Sequence, residues 1–306
     1  MKKVGINSVV IVAALAVLAG FASFAARRSS GQSPSPKSDQ LVKPTVLKSE
    51  GANPSGKNAS PAFATAAGKN SLLENELSWT FGGKPQTGWY LYHSLIARFL
   101  KTRNDASATD FAADLAAWQK QAGLNADGVL DEGSLMVMIS QWQGSRLKDR
   151  TPAQPDQLLT APSSDFYDPE RLVELRQVER RTYAAYKAMV AAAVADPTLK
   201  LGHTESGDLA PTEKYLKIIS AFRSREYQEQ LRRQSPNAGS AGLAVNSPHF
   251  TGRALDLYVG GDPVDTKDTN RAIQVKTPVY QWLVRNAESF GFRPYFYEPW
   301  HWEYVR

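Results

Sequence analysis

The stretch Ser247-Pro-His-Phe-Thr-Gly-Arg-Ala-Leu-Asp-Leu-Tyr258 combines a histidine, a glycine and an aspartate with a short alternating run of side chains. The alternation over residues 254–259 predicts a β-strand, with Asp256 among otherwise apolar neighbours. A buried carboxylate is costly unless it is paired or binds a metal ion. Gly252 allows the tight bend that would bring His249 back towards Asp256. The stretch therefore predicts a strand that carries a ligating carboxylate close to a histidine.

A second cluster lies near the C-terminus, in Tyr297-Glu-Pro-Trp-His-Trp-Glu-Tyr304. Glu298 and His301 are three residues apart, among aromatic side chains that would exclude water. Because Pro299 is incompatible with the interior of a regular helix, we predict a turn that leads into a short strand. His301 and Glu303 would share one face of that strand, where Glu303 could orient the imidazole.

Together the two clusters supply two imidazoles and two carboxylates. A set of His249, Asp256 and His301 suits catalytic zinc, although the same donors also suit ferrous iron. A free carboxylate from Glu298 favours hydrolysis, because it can take a proton from metal-activated water and deliver it to a leaving amine. The alternative interpretation is that the histidines are ordinary core residues.

Three motifs in order carry a resemblance to a known family. They read Ser220-Ala-Phe-Arg223-Ser224 with Gln228, then Ser247-Pro-His249-Phe-Thr-Gly252-Arg-Ala254-Leu-Asp256, then Glu298-Pro-Trp300-His301. This pattern, over about 170 to 306, resembles the VanY-like D-alanyl-D-alanine carboxypeptidases, which belong to the LAS group of zinc peptidases. The resemblance implies an α+β fold with a small antiparallel sheet and flanking helices, and one catalytic Zn²⁺.

The resemblance also implies a role for individual residues. His249, Asp256 and His301 would be the metal ligands and Glu298 the catalytic base. Arg223 would hold the substrate carboxylate, for which a guanidinium fork is well suited. Ser247 and Gln228 would be further substrate-binding residues. Departures such as Ala221, where glycine is common, leave the metal set intact and the substrate specificity open.

An earlier part of the chain predicts a small helical domain. Apolar residues recur at helical spacing from Trp89, again from Phe111 up to a stop at Gly123, and a third time from a start near Ser134. The segment Leu115–Leu135 contains Trp118-Gln119, Gly123-Leu124 and Asp127-Gly128-Val129, and it resembles the peptidoglycan-binding domain 1 family. The alternative is a plain helical spacer.

The N-terminus predicts export. Lys2 and Lys3 precede an apolar run from Val9 to Ala26, which is the layout of a secretory signal or a membrane anchor. We therefore expect a periplasmic or cell-envelope location, with the run either cleaved or retained as an anchor in the inner membrane. A polar segment rich in Ser and Pro follows and predicts a flexible tether.

The sequence thus divides into five predicted segments. They are a signal or anchor (1–26), a linker (27–75), a helical peptidoglycan-binding-like domain (76–146), a second linker (147–165) and a zinc peptidase domain (166–306). Within the last segment, Asp168-Pro-Glu predicts the start of a long helix that runs to about residue 195.

Composition narrows the function classes. The 306 residues include no cysteine, which excludes disulfides, thiolate metal sites and a cysteine nucleophile. The net charge of +6 is spread along the chain, so it gives no particular support to nucleic-acid binding. A positive charge suits the anionic cell wall as well as it suits nucleic acid.

We therefore expect an exported zinc D,D-carboxypeptidase acting on peptidoglycan stem peptides, held on the wall glycan by its N-terminal module. The first alternative is an endopeptidase of the same fold that cuts a cross-link or another stem bond. The second is a non-catalytic wall-binding protein with a relict metal site, against which the presence of Glu298 argues.

Overall fold

A computed structural model describes residues 63–103, 105–234 and 246–306. The predicted signal or anchor and most of the first predicted linker lie outside these residues. Among the helices of the described part, none combines the length and the apolar character that crossing a bilayer requires.

The N-terminal part of the described chain is mainly helical. Its elements are α1 (Ala64–Glu76), β1 (Ser78–Phe81), β2 (Lys84–Thr87), α2 (His93–Leu100), α3 (Thr109–Gln121) and α4 (Glu132–Gly144). The three predicted helices are confirmed as α2, α3 and α4. Gly123 follows α3 with a φ of 73°, a left-handed conformation that favours glycine. Residues 64–150 are called the N-terminal helical unit below.

The first linker prediction is wrong at its C-terminal end, because residues 64–75 belong to α1. Polar residues made this segment look like a tether, but one of them is fully buried. The Asn70 side chain donates to Gly128 O at 2.8 Å and accepts from Leu130 N at 2.8 Å. The amide thus satisfies two backbone groups of a distant turn and fixes α1 to the rest of the unit.

The C-terminal part has the predicted α+β character. Its elements are β3 (Leu158–Thr160), β4 (Gln177–Glu179), α5 (Arg180–Val194), β5 (Ile218–Ser220), α6 (Arg225–Gln234), β6 (Ala254–Leu257), α7 (Asp268–Val275), α8 (Pro278–Asn286), β7 (Phe292–Tyr295) and β8 (Glu298–Tyr304). Four strands form an antiparallel sheet in the order β5-β6-β8-β7. The small antiparallel sheet with flanking helices is therefore confirmed.

The helix predicted from Asp168 is wrong in its first part. Asp168 accepts from Glu170 N at 3.0 Å, so it closes a local turn instead of capping a helix. Helix α5 begins at Arg180, where Glu179 accepts from Thr182 N at 2.7 Å. The second predicted linker is also more ordered than expected, since residues 158–160 form β3 and pair with β4.

The helical unit and the sheet share a continuous hydrophobic core. Phe296, in the turn between β7 and β8, lies among aromatic rings of the helical unit. Its ring centroid is 4.8 Å from that of Phe81, 5.4 Å from that of Tyr92 and 6.1 Å from that of Trp142. The turn that precedes Glu298 is therefore packed against the helical unit.

Candidate metal centre

Three elements bring the predicted ligands to one place. His249 lies in a 3-10 turn at residues 248–251, Asp256 on β6 and His301 on β8. The register of the sheet pairs Asp256 directly with His301. All three side chains are buried, and one ligand atom from each lies within 4.8 Å of the others. The structure thus assembles the group that the motif spacing predicted.

Gly252 explains how the histidine turn meets the strand. Its φ of 65° is in the left-handed region, and a Cβ there would lie 3.0 Å from both Glu179 N and a Leu158 methyl. Its carbonyl also accepts from Glu179 N at 3.1 Å. Only glycine allows this bend and this close packing, as the sequence predicted.

Each imidazole is oriented by the nitrogen that points away from the group. His249 Nδ1 lies 2.6 Å from Ala221 O, and because a carbonyl only accepts, this nitrogen carries the proton. His301 Nε2 lies 3.2 Å from Glu303 Oε1. His249 Nε2 and His301 Nδ1 then face Asp256, at 3.3 Å and 2.9 Å from its two carboxylate oxygens. In metal-ligating histidines the nitrogen that does not bind the metal usually hydrogen-bonds to a carbonyl or carboxylate oxygen, as both outer nitrogens do here.

Electrostatics prepare two of the three side chains for a cation, whereas the third must first lose a proton. Burial lowers the pKa of His249 to about 4, so its imidazole is neutral at pH 7 and has a lone pair to offer. Burial raises the pKa of Asp256, but the contacts with His249 and His301 outweigh it and hold the pKa well below the usual range. Burial lowers the pKa of His301, but its hydrogen bonds to Asp256 and Glu303 outweigh burial and raise that pKa to about 9, so a metal ion would displace a proton from this imidazole. A neutral imidazole and a permanent carboxylate therefore meet at this point, a donor set that fits a divalent metal ion.

Glu298 lies at the start of β8, beside the same group. Its Oε2 atom is 4.0 Å from His301 Nδ1, the nitrogen that faces Asp256. Burial raises the pKa of Glu298 to about 7. A carboxyl with that pKa can both accept and release a proton near neutral pH, which suits a general base.

Arg223 follows β5 and also contacts the group. Its Nη2 donates to Asp256 Oδ2 at 2.8 Å, and its Nε donates to Ser220 Oγ at 2.9 Å. The structure therefore places Arg223 at the site but in contact with a predicted ligand. Contact with a substrate carboxylate stays a prediction.

The two other predicted substrate residues differ in their surroundings. Ser247 is buried, and its hydroxyl accepts from His249 N at 3.3 Å, so it stabilises the turn that carries the histidine. Gln228, on α6, is also buried, and within the described residues its Oε1 atom has no hydrogen-bond partner. Their contacts with substrate stay predictions.

All the predicted site residues, from Arg223 to His301, lie in one segment that matches a known family. Residues 176–306 match the family model of VanY, D-alanyl-D-alanine carboxypeptidase. Among solved structures, the LdcB LD-carboxypeptidase is similar, with 20% sequence identity, a TM-score of 0.35 and coverage of 51% of this chain and 71% of that chain. A comparison with curated proteins gives no significant match.

Some arginines near the site lie before the VanY-matching segment, and the motifs missed Arg171 and Arg146 among them. Arg171 is a second cation near Arg223 and Asp256; burial lowers its pKa, and the charge of Arg223 lowers it further. Arg146, just after α4, contacts Glu303. No local spacing in the sequence signals either contact, because each depends on how distant segments pack.

Proposed function

We propose that this chain is a zinc-dependent D,D-carboxypeptidase that removes the terminal D-Ala from peptidoglycan stem peptides. The observation that carries the proposal is a buried group of His249, Asp256 and His301 beside Glu298, whose pKa is about 7. The match of residues 176–306 to the VanY family supports the substrate class.

His249, Asp256 and His301 would hold the zinc ion. When bound, zinc supplies a Lewis acid that polarises the scissile carbonyl and makes water more acidic. Glu298 accepts a proton from the attacking water, whose oxygen forms the new bond to the carbonyl carbon. As the C–N bond breaks, Glu298 returns that proton to the amine of the leaving D-Ala.

Arg223 would hold the terminal carboxylate of the substrate. Among the described residues its hydrogen bonds use Nε and Nη2, which leaves the Nη1 donors for an incoming carboxylate. Arg171 adds a second positive charge on this side of the site. A substrate that ends in a free carboxylate is thereby favoured over one that continues past the scissile bond.

The rest of the chain is proposed to keep the enzyme at its substrate. Residues 1–26 would direct export to the periplasm or cell envelope, cleaved or retained as an anchor. The N-terminal helical unit would bind wall glycan. Gln119 of its motif accepts from Gly128 N at 2.9 Å and donates to Val129 O at 2.9 Å, so this residue stabilises the unit and glycan would contact other side chains.

The test uses the zinc-loaded protein and three substrates. The wild type should release free D-Ala from a pentapeptide ending in D-Ala-D-Ala, and the Glu298→Gln variant should release it much more slowly. A tetrapeptide with a single terminal D-Ala and intact cross-linked wall are the other two. Cleavage of either one with no release from the pentapeptide would overturn the D,D-carboxypeptidase proposal in favour of an L,D-carboxypeptidase or an endopeptidase. No cleavage of any substrate would favour a non-catalytic wall-binding protein.

A further inference from the structure

Glu303 connects the candidate metal centre to the N-terminal helical unit. Its side chain is fully buried at the end of β8, and its Oε1 atom lies 3.2 Å from His301 Nε2. A buried carboxylate needs hydrogen-bond donors or opposite charge to compensate for lost hydration. Those partners therefore decide how firmly His301 is held.

The other partners of Glu303 come from the helical unit. Arg146 donates to Glu303 Oε1 through Nη2 at 2.5 Å and through Nε at 3.2 Å. The backbone N–H of Leu147 donates to Oε2 at 2.9 Å. Arg150 Nη2 lies 3.6 Å from Glu303 Oε1. The carboxylate thus lies between His301 on one side and residues 146–150 on the other.

Arg146 is itself fixed in place. Its guanidinium carbon lies 4.0 Å from the centre of the Tyr295 ring, and its Nη1 donates to Gln143 Oε1 at 3.0 Å. Its side chain is only 14% exposed. A guanidinium held in this way can impose an orientation on a carboxylate, which a mobile surface cation cannot.

We infer that Arg146 is a positioning residue for the metal centre, acting through Glu303 to fix the orientation of His301. The inference rests on the metal site of the proposed function and extends it beyond residues 176–306. A histidine whose outer nitrogen is hydrogen-bonded to a fixed carboxylate is a stronger metal ligand. The helical unit is then part of the metal centre as well as a neighbour of it.

The experiment measures zinc affinity in the full chain by competition with a chelator. Arg146→Ala should weaken zinc binding about 10- to 100-fold, the usual effect of losing such an outer partner. Arg146→Lys keeps the positive charge but loses the forked guanidinium, so its zinc affinity should lie between those of the wild type and the alanine variant. It also serves if the alanine variant does not fold.

Arg98→Ala is the matched control for a loosened interface. Arg98 also belongs to the helical unit and pairs with Glu288 at 3.5 Å, but both side chains are partly exposed. Its loss should change zinc affinity less than about twofold. Equal effects of Arg98→Ala and Arg146→Ala would mean that only interface stability matters, and would overturn the inference.

A double-mutant cycle tests whether Arg146 acts through Glu303. Glu303→Gln should weaken zinc binding by itself, and adding Arg146→Ala to it should cost less than about threefold more. Fully additive losses would overturn the inference. So would folded Arg146 variants that bind zinc as tightly as the wild type. If the wild type does not bind zinc, both the inference and the proposed function are wrong. If zinc affinities are as predicted but D-Ala-D-Ala peptides are not cleaved, only the proposed function is wrong.

Discussion

The helical unit and the four-stranded sheet both bury polar side chains, but they use them differently. In the helical unit, Asn70 and Gln119 bond to backbone groups of the Asp127–Leu130 turn. In the sheet, Asp256 and His301 bond to each other, and Glu298 and His249 lie beside them. Buried polar groups that satisfy backbone fix the architecture, whereas ionisable groups that converge on one point indicate chemistry.

Metal removal should have the largest effect on activity, and it should leave the structure of the helical unit unchanged. Chelation should lower D-Ala release by at least about 10⁴-fold, because Glu298 would then act on a water molecule and a carbonyl that no Lewis acid has polarised. Adding zinc should restore the activity. The assay is D-Ala release before and after dialysis against a chelator. The helical unit should keep its helices throughout, as measured by far-UV circular dichroism, and activity that survives chelation would contradict the assignment.

Glu298→Gln should lower kcat by about 10²- to 10⁴-fold, because the amide cannot accept the proton from water. Zinc affinity should stay close to that of the wild type, since Glu298 is not among the three ligands. Steady-state kinetics and a zinc titration measure the two quantities. Loss of zinc together with activity would instead make Glu298 a ligand.

Arg223→Lys should mainly raise KM, by about 10- to 100-fold, because a point charge replaces a fork that matches a carboxylate. The change keeps the positive charge next to Asp256. Kinetics on the pentapeptide and on the same peptide with an amidated C-terminus provide the comparison. The amidated peptide should be a poor substrate for both proteins, and a variant with unchanged KM would argue against carboxylate binding by Arg223.

The smallest effect on activity should come from Asn70, which lies in the helical unit away from the candidate metal centre. Asn70→Ala should lower the free energy of unfolding by about 1–3 kcal/mol, because Gly128 O and Leu130 N lose their partner in a buried turn. Urea denaturation measures the loss, and kcat/KM of the folded protein should be unchanged. Asn125→Ala is the control: within the part of the chain that the structure describes, the Asn125 side chain hydrogen-bonds to the exposed Asp127, so its removal should cost less than about 0.5 kcal/mol.

The convergence of His249, Asp256 and His301 could be predicted because it depends on local rules. Pattern placed Asp256 and His301 on strands, and Gly252 signalled the bend next to His249. Sheet register then brings Asp256 and His301 together. These relationships are visible in spacing, even though 45 residues separate the paired side chains.

Other features could not be predicted, since they depend on tertiary packing. The predicted start of α5 was wrong because the Asp-Pro signal at residue 168 fits a turn as well as a helix. The linker prediction failed at Asn70 because composition does not show that one amide matches a distant turn. The contact between Arg146 and Glu303 joins residues 157 positions apart, which no local pattern encodes.

The insertion of Phe296 among Phe81, Tyr92 and Trp142 has a consequence for recombination between modules. A fragment trimmed to residues 176–306 would present this ring to water, and a foreign module attached in front would have to supply matching aromatic partners. Exchange of N-terminal modules is therefore constrained by the shape of one turn, so the two halves should be inherited as a unit and engineered as one.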